Sequence, residues 1–173
     1  MTLLTNNCPW QQLVDSAYDR WQHHDLGVRN RAQLGEITQS EARSLMWSFG
    51  DLLANCSDAE RQALSLGKLN QQVENGGVMQ WVENGYAGHS AGILANLMPQ
   101  IGPTSDRIWQ LLSKFLNDWS EELESSDEQP VDYREQQHEL AYGDADELDD
   151  LFYLLSDEWH VEVYSHIAKL VSK

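Results

Sequence analysis

Residues Asp118–Glu162 hold 17 Asp and Glu against a single base, Arg134. A run this charged is ordinarily a solvated tail that buries nothing. Here it is threaded with Trp119, Leu123, Tyr133, Leu140, Tyr142, Leu148, Leu151, Phe152, Tyr153, Leu155 and Trp159. Large apolar residues at that density need a core, so the acids must ride on folded structure in fixed relative positions. Leu148, Leu151, Phe152 and Leu155 recur at spacings of three and four, which selects helix over strand. The flanks nearly cancel in charge. Residues 1–117 carry 11 acids and eight bases, and residues 163–173 add only Lys169 and Lys173. The chain reads as a near-neutral scaffold, 1–117, joined to an acidic surface, 118–162.

The scaffold is helical by the same criterion. Asn7 or Cys8 stands near a cap, Pro9 in the first turn, and Trp10, Leu13, Val14, Ala17 and Trp21 follow on one stripe, with His23-His24-Asp25 at the far end. Thr38-Gln-Ser-Glu41 is a capping-box pattern ahead of Ala42, Leu45, Met46, Phe49, Leu52 and Leu53, which reads as one amphipathic helix. Ser57-Asp-Ala-Glu60 repeats the pattern ahead of a shorter helix. Asn75-Gly76-Gly77 breaks one helical segment and starts another, and Asn84-Gly85 stops it. A short helix from Ser90 to Ile101 is closed by Gly102-Pro103, and Thr104 or Ser105 caps the next. That one carries the clearest stripe: Ile108, Leu111, Leu112, Phe115, Leu116, Trp119 and Leu123. Ser125–Pro130 is a loop, residues 131–142 and Asp146–Leu155 are helices, and Ser156-Asp157-Glu158 starts a last one. No strand pattern survives. The expectation is a single all-α domain over residues 1–173.

Composition excludes several functions. A pI near 4.4 argues against direct binding to nucleic acid or an anionic membrane. No apolar run has the length of a membrane span, and the first residues lack a basic segment followed by an apolar one, so the expected location is the cytoplasm. Cys8 and Cys56 are expected as reduced thiols. Asp144-x-Asp146-x-x-Asp149 departs from a calcium loop, with Asp149 where Gly is required and Leu155 where the closing Glu belongs. No metal and no cofactor is expected. Many acids are present, but no pair is singled out for acid–base catalysis and no nucleophile–base arrangement accompanies them, so no enzyme is expected.

The spacing of the acids suggests binding instead. Rows at three and four residues occur at Asp118–Glu121–Glu122, Glu121–Glu124, Glu135–Glu139, Asp146–Asp149–Asp150 and Glu158–Glu162. Like charges so placed cost a helix roughly 0.2–0.5 kcal/mol per pair. A basic partner would relieve that repulsion and be steered by it. Carboxylates on rigid helices present what a DNA-binding surface reads non-specifically. The candidate phosphate-mimicking residues are Asp118, Glu121, Glu122, Glu124, Asp127, Glu128, Asp132, Glu135, Glu139, Asp144, Asp146, Glu147, Asp149, Asp150, Asp157, Glu158 and Glu162. Tyr133, Tyr142, Tyr153 and Trp159 are candidates for partner choice, with core packing the expected role of Trp159 and Phe152.

The run Asn75-Gly76-Gly77-x-x-Gln80-Trp81-x-x-Asn84, followed by Ile101-Gly102, resembles the signature of a small bacterial family whose characterised member is a nineteen-kilodalton DNA mimic protein. Leu148-Asp149-Asp150-Leu151-Phe152-Tyr153, running on to Tyr164 and Ile167, is similar to that family's closing segment. Val78 stands where an aromatic is usual, and Gly85-Tyr86 replaces a serine-rich turn. The resemblance implies a mainly helical fold and a carboxylate display that occupies a DNA-binding transcription factor. The partner expected on both grounds is a basic DNA-binding protein: a transcription factor, a nucleoid protein or a defence nuclease. The resemblance and the seven Trp also admit a homodimer. The alternative is an acidic interaction or scaffold module that does not compete with DNA.

Overall fold

Seven helices and no strand occur among the described residues of the computed structural model, which describes residues 9–126 and 131–172 and the side chains of 10–120 and 144–172. The helices are α1 (Pro9–Gln33), α2 (Gln39–Leu45), α3 (Phe49–Ala54), α4 (Asp58–Glu83), α5 (Tyr86–Ile101), α6 (Pro103–Ser126) and α7 (Val131–Val171). The all-α expectation is met. The chain groups into two compact units: Ser65–His166, and the described residues of Thr2–Leu64 with Ile167–Lys173.

In the unit that holds α1 to α3, α1 begins at Pro9 and runs past Asp25, its expected end. Val28 is buried one heptad beyond Trp21 and gives the extra turns a packed face. The single helix expected from Thr38 to Leu53 is two. Met46 leaves α2 in extended backbone, and Ser48 opens α3 with its own capping box. Ser48 N and Oγ donate to Asp51 Oδ2 at 2.9 and 2.7 Å. Trp47, in the break, explains it. Its N–H donates to Asp25 Oδ1 (3.2 Å), its carbonyl accepts from Trp21 Nε1 (3.1 Å), and its ring stacks on His24. These contacts outweigh one more turn of helix. Ser57 and Glu60 form the expected box, and the same carboxylate meets Arg20 Nη2 at 2.9 Å. Cys56 is a buried free thiol.

In the other unit α4 kinks at Gly76-Gly77, as the glycine pair predicts, and a new helical segment starts at Val78. Helix α5 starts at Tyr86 rather than Ser90. Ser90 is fully buried, and its Oγ donates to the Tyr86 carbonyl one turn back (2.7 Å) instead of capping. The three C-terminal segments expected are one continuous helix of 41 residues. Ser156, expected to start a helix, instead donates to the Tyr153 carbonyl at 2.9 Å, within the helix. Trp81 and Trp159 are both 0% exposed, and Trp159 meets Phe152 edge to face at 4.8 Å. Both aromatics belong to the core, as expected.

Candidate functional site

Two of the candidate carboxylates turn inward and cap other helices. Asp149, on α7, accepts a 2.7 Å hydrogen bond from the Val78 N–H, the first turn after the glycine kink of α4. Glu162, thirteen residues further along α7, accepts from Thr104 N (3.0 Å), Ser105 N (2.8 Å) and Ser105 Oγ (2.8 Å), at the start of α6. The first amides of a helix have no partner in their own turn, and a carboxylate is their strongest acceptor. Neither Thr104 nor Ser105 is the cap expected from sequence; Glu162 takes that role from another helix.

Each carboxylate enters a place that only glycine leaves open. A Cβ on Gly77 would overlap the Asp149 carboxylate, and one on Gly102 would overlap that of Glu162. Gly77 also holds φ 84° and ψ 178°, a combination reserved for glycine. Gly77 and Gly102 are therefore receptacles for α7. Asp149 and Glu162 leave the outward array; of the rows that held them, Asp146, Asp150 and Glu158 remain exposed.

The two caps titrate in opposite senses. Burial raises the Glu162 pKa, but the hydrogen bonds from Thr104 and Ser105 outweigh it and hold the carboxyl below its usual range. Burial pushes the Asp149 carboxyl up against the Val78 hydrogen bond, and Asp146 and Asp150 add to the rise. Glu162 therefore contributes stability that is present above the unfolded glutamate value, roughly 4.3, and lost as pH falls through the lower folded value. Asp149 acts the other way: stability falls as pH rises from about 3.9 through its raised native value. Glu162→Gln should cost about 1–2 kcal/mol at neutral pH. In thermal melts across pH 3–7, the gap between wild type and variant should close on the acid side (roughly below pH 4). A gap that stays constant would show that the charge of Glu162 contributes nothing.

Seven candidates have exposed side chains: Asp118 on α6 and Asp144, Asp146, Glu147, Asp150, Asp157 and Glu158 on α7. At about 100° per residue, Asp146, Asp150 and Asp157 lie within roughly 40° of one another around the helix. Among the described residues, none of the six on α7 is ion-paired with Lys or Arg, and Asp118 makes only a loose 4.0 Å pair with Lys114. Glu121, Glu122 and Glu124 fall on α6, and Asp132, Glu135 and Glu139 on α7, but their side chains lie outside the described set, as do those of Tyr133 and Tyr142. Asp127 and Glu128 lie outside the described residues altogether. Tyr153 is half exposed, with its hydroxyl donating to the Val73 carbonyl at 3.0 Å.

Between α6 and α7 runs a groove of about 220 Å³. Asp118, Asp144 and Glu147 stand on it together with Lys114. Its apolar lining is Leu111, Phe115, Leu148 and Leu151. Sequence reading assigned these four to the core. Three of them, Leu111, Leu148 and Leu151, are only partly buried.

Among the described residues, no three His, Cys, Asp or Glu converge as metal ligands would, and no helix is long and apolar enough to cross a membrane. No curated protein and no solved structure matches the chain. A family model described as DMP19-like protein matches residues 54–171, a span that includes both glycine receptacles, both capping carboxylates and every exposed acid just described. By that match over more than half its length, the chain belongs to the DMP19-like protein family.

Proposed function

We propose that the protein is a DNA mimic: its exposed carboxylates occupy the basic surface of a DNA-binding protein and keep DNA away from it. The observation that carries this reading is the density of exposed charge on α7 that meets no Lys or Arg among the described residues. Six exposed carboxylates, from Asp144 to Glu158, occupy 15 residues of one helix. At 1.5 Å per residue that is roughly 22 Å, or one charge per about 4 Å. Along one strand of DNA the spacing is about 3.4 Å. Membership of the family agrees with the reading. A homodimer would set two such arrays together and lengthen the charged surface. Transcription factors, nucleoid proteins and defence nucleases all present the required basic face.

The alternative, an acidic scaffold module, is favoured by one observation. Leu154 and Val161 are 75% and 67% exposed on the same helix. Exposed apolar residues beside the acids would suit a partner held by burial rather than by charge. Affinity capture from the host lysate, with parallel samples eluted by salt and by duplex DNA, separates the two. Mimicry requires a basic protein that leaves in both eluates. A partner that resists salt and ignores DNA would support the scaffold instead.

A further inference from the structure

The structure points to a specific feature of the partner: we infer that the α6–α7 groove seats one arginine side chain of the basic protein. This rests on the mimic reading and narrows it. A phosphate backbone offers charge alone, whereas this trough offers charge above an apolar floor. Among the described residues, Asp118, Asp144 and Glu147 set three carboxylates against one ammonium, that of Lys114. Lys114 is 79% exposed and 4.0 Å from Asp118, so its flexible stem can leave without breaking a close ion pair. Leu148 and Leu151 of α7 and Leu111 and Phe115 of α6, all less exposed than the acids, form the apolar part of the lining.

The chemistry that matches is a long apolar stem with a cationic head. Both Arg and Lys lay methylenes along apolar surface and keep the charge in a polar setting. Arginine fits better here. Its planar guanidinium spreads five donors toward carboxylates on two different helices, and it sheds water more readily than an ammonium. An apolar side chain would leave the acids uncompensated, and a free metal ion would make no use of the leucines.

Nona-arginine and nona-lysine peptides, equal in charge, test the assignment by fluorescence anisotropy and by leucine-methyl NMR of the whole protein. Nona-arginine should move the methyl signals of Leu148 and Leu151 and bind about fivefold more tightly than nona-lysine. Asp144→Asn with Glu147→Gln should weaken nona-arginine about tenfold. Asp157→Asn with Glu158→Gln removes the same charge from the array but outside the groove lining, and should weaken it only about threefold, the loss of charge alone. All four positions are exposed, so both double variants should fold. Equal losses in the two double variants, equal affinity for the two peptides, or shifts that bypass Leu148 and Leu151 would each overturn the groove assignment and leave mimicry standing. Failure of both peptides to bind at low salt would remove the mimic reading as well.

Discussion

Gly77→Ala should lower the stability of the protein by about 3 kcal/mol or more, a fall in melting temperature of roughly 6–12 °C for a chain of this size. Two effects add. The backbone at Gly77 occupies a region that costs a residue with a side chain about 1–3 kcal/mol. The new methyl would also overlap Asp149, pushing its carboxylate off the Val78 amide and leaving a half-buried charge without its donor, at a further 1–3 kcal/mol or so. The two parts can be separated. Asp149→Ala alone should cost less than Gly77→Ala. The double variant should cost clearly less than the sum of the singles, because removing the carboxylate makes room for the methyl. Strict additivity would mean that the glycine is there for its backbone only. Gly92→Ala, an exposed position inside α5 with open space at the Cβ, is the control and should be neutral or slightly stabilising.

The second large effect concerns binding. Asp146→Lys, Asp150→Lys and Asp157→Lys together reverse three exposed charges on one side of α7, a change of six units. Each carboxylate that meets a basic partner contributes about 1 kcal/mol or more, so the triple variant should bind the captured partner at least about 100-fold more weakly. Its melting temperature should stay near that of the wild type, or rise, because these acids repel one another on a single helix. Asp149 is left out of the set deliberately: reversing it would break the α4 cap and confuse loss of fold with loss of binding. Unchanged affinity in a folded triple variant would exclude this face from the interface.

Much of the fold was legible in the sequence, for local reasons. The capping boxes at Thr38–Glu41 and Ser57–Glu60, the break at Gly76-Gly77 and the stripe from Ile108 to Trp119 each depend on residues within a few positions of one another. The box at Ser48–Asp51 was equally local, but the apolar stripe runs straight across it, and only the tertiary contacts of Trp47 show why the helix stops. The continuity of α7 was hidden because Ser156-Asp157-Glu158 is as good a start signal as any in the chain; whether a serine caps or bonds back into its own helix is not written in its neighbours. The inward turn of Asp149 and Glu162 was illegible for a different reason. Each lies among acids that look the same, and what singles it out is a glycine 72 or 60 residues earlier (Gly77 and Gly102). A signal was present, since the signature glycines and the closing acidic segment occur in the same resemblance, yet nothing local says that one receives the other. The charge segregation itself was visible from composition, but the groove was not. A stripe of leucines reads as core whether it ends up fully or only partly buried.

If exposed carboxylates stand in for DNA on a basic protein, the two must compete for the same surface. A labelled duplex is bound to the captured partner, the protein is titrated in at several salt concentrations, and release of the duplex is followed by anisotropy. Mimicry predicts full displacement, with an apparent affinity that falls steeply as salt rises and a loss of displacement in the triple charge-reversal variant. A ternary complex in which the duplex stays bound, or displacement indifferent to salt and to the three reversals, would contradict it.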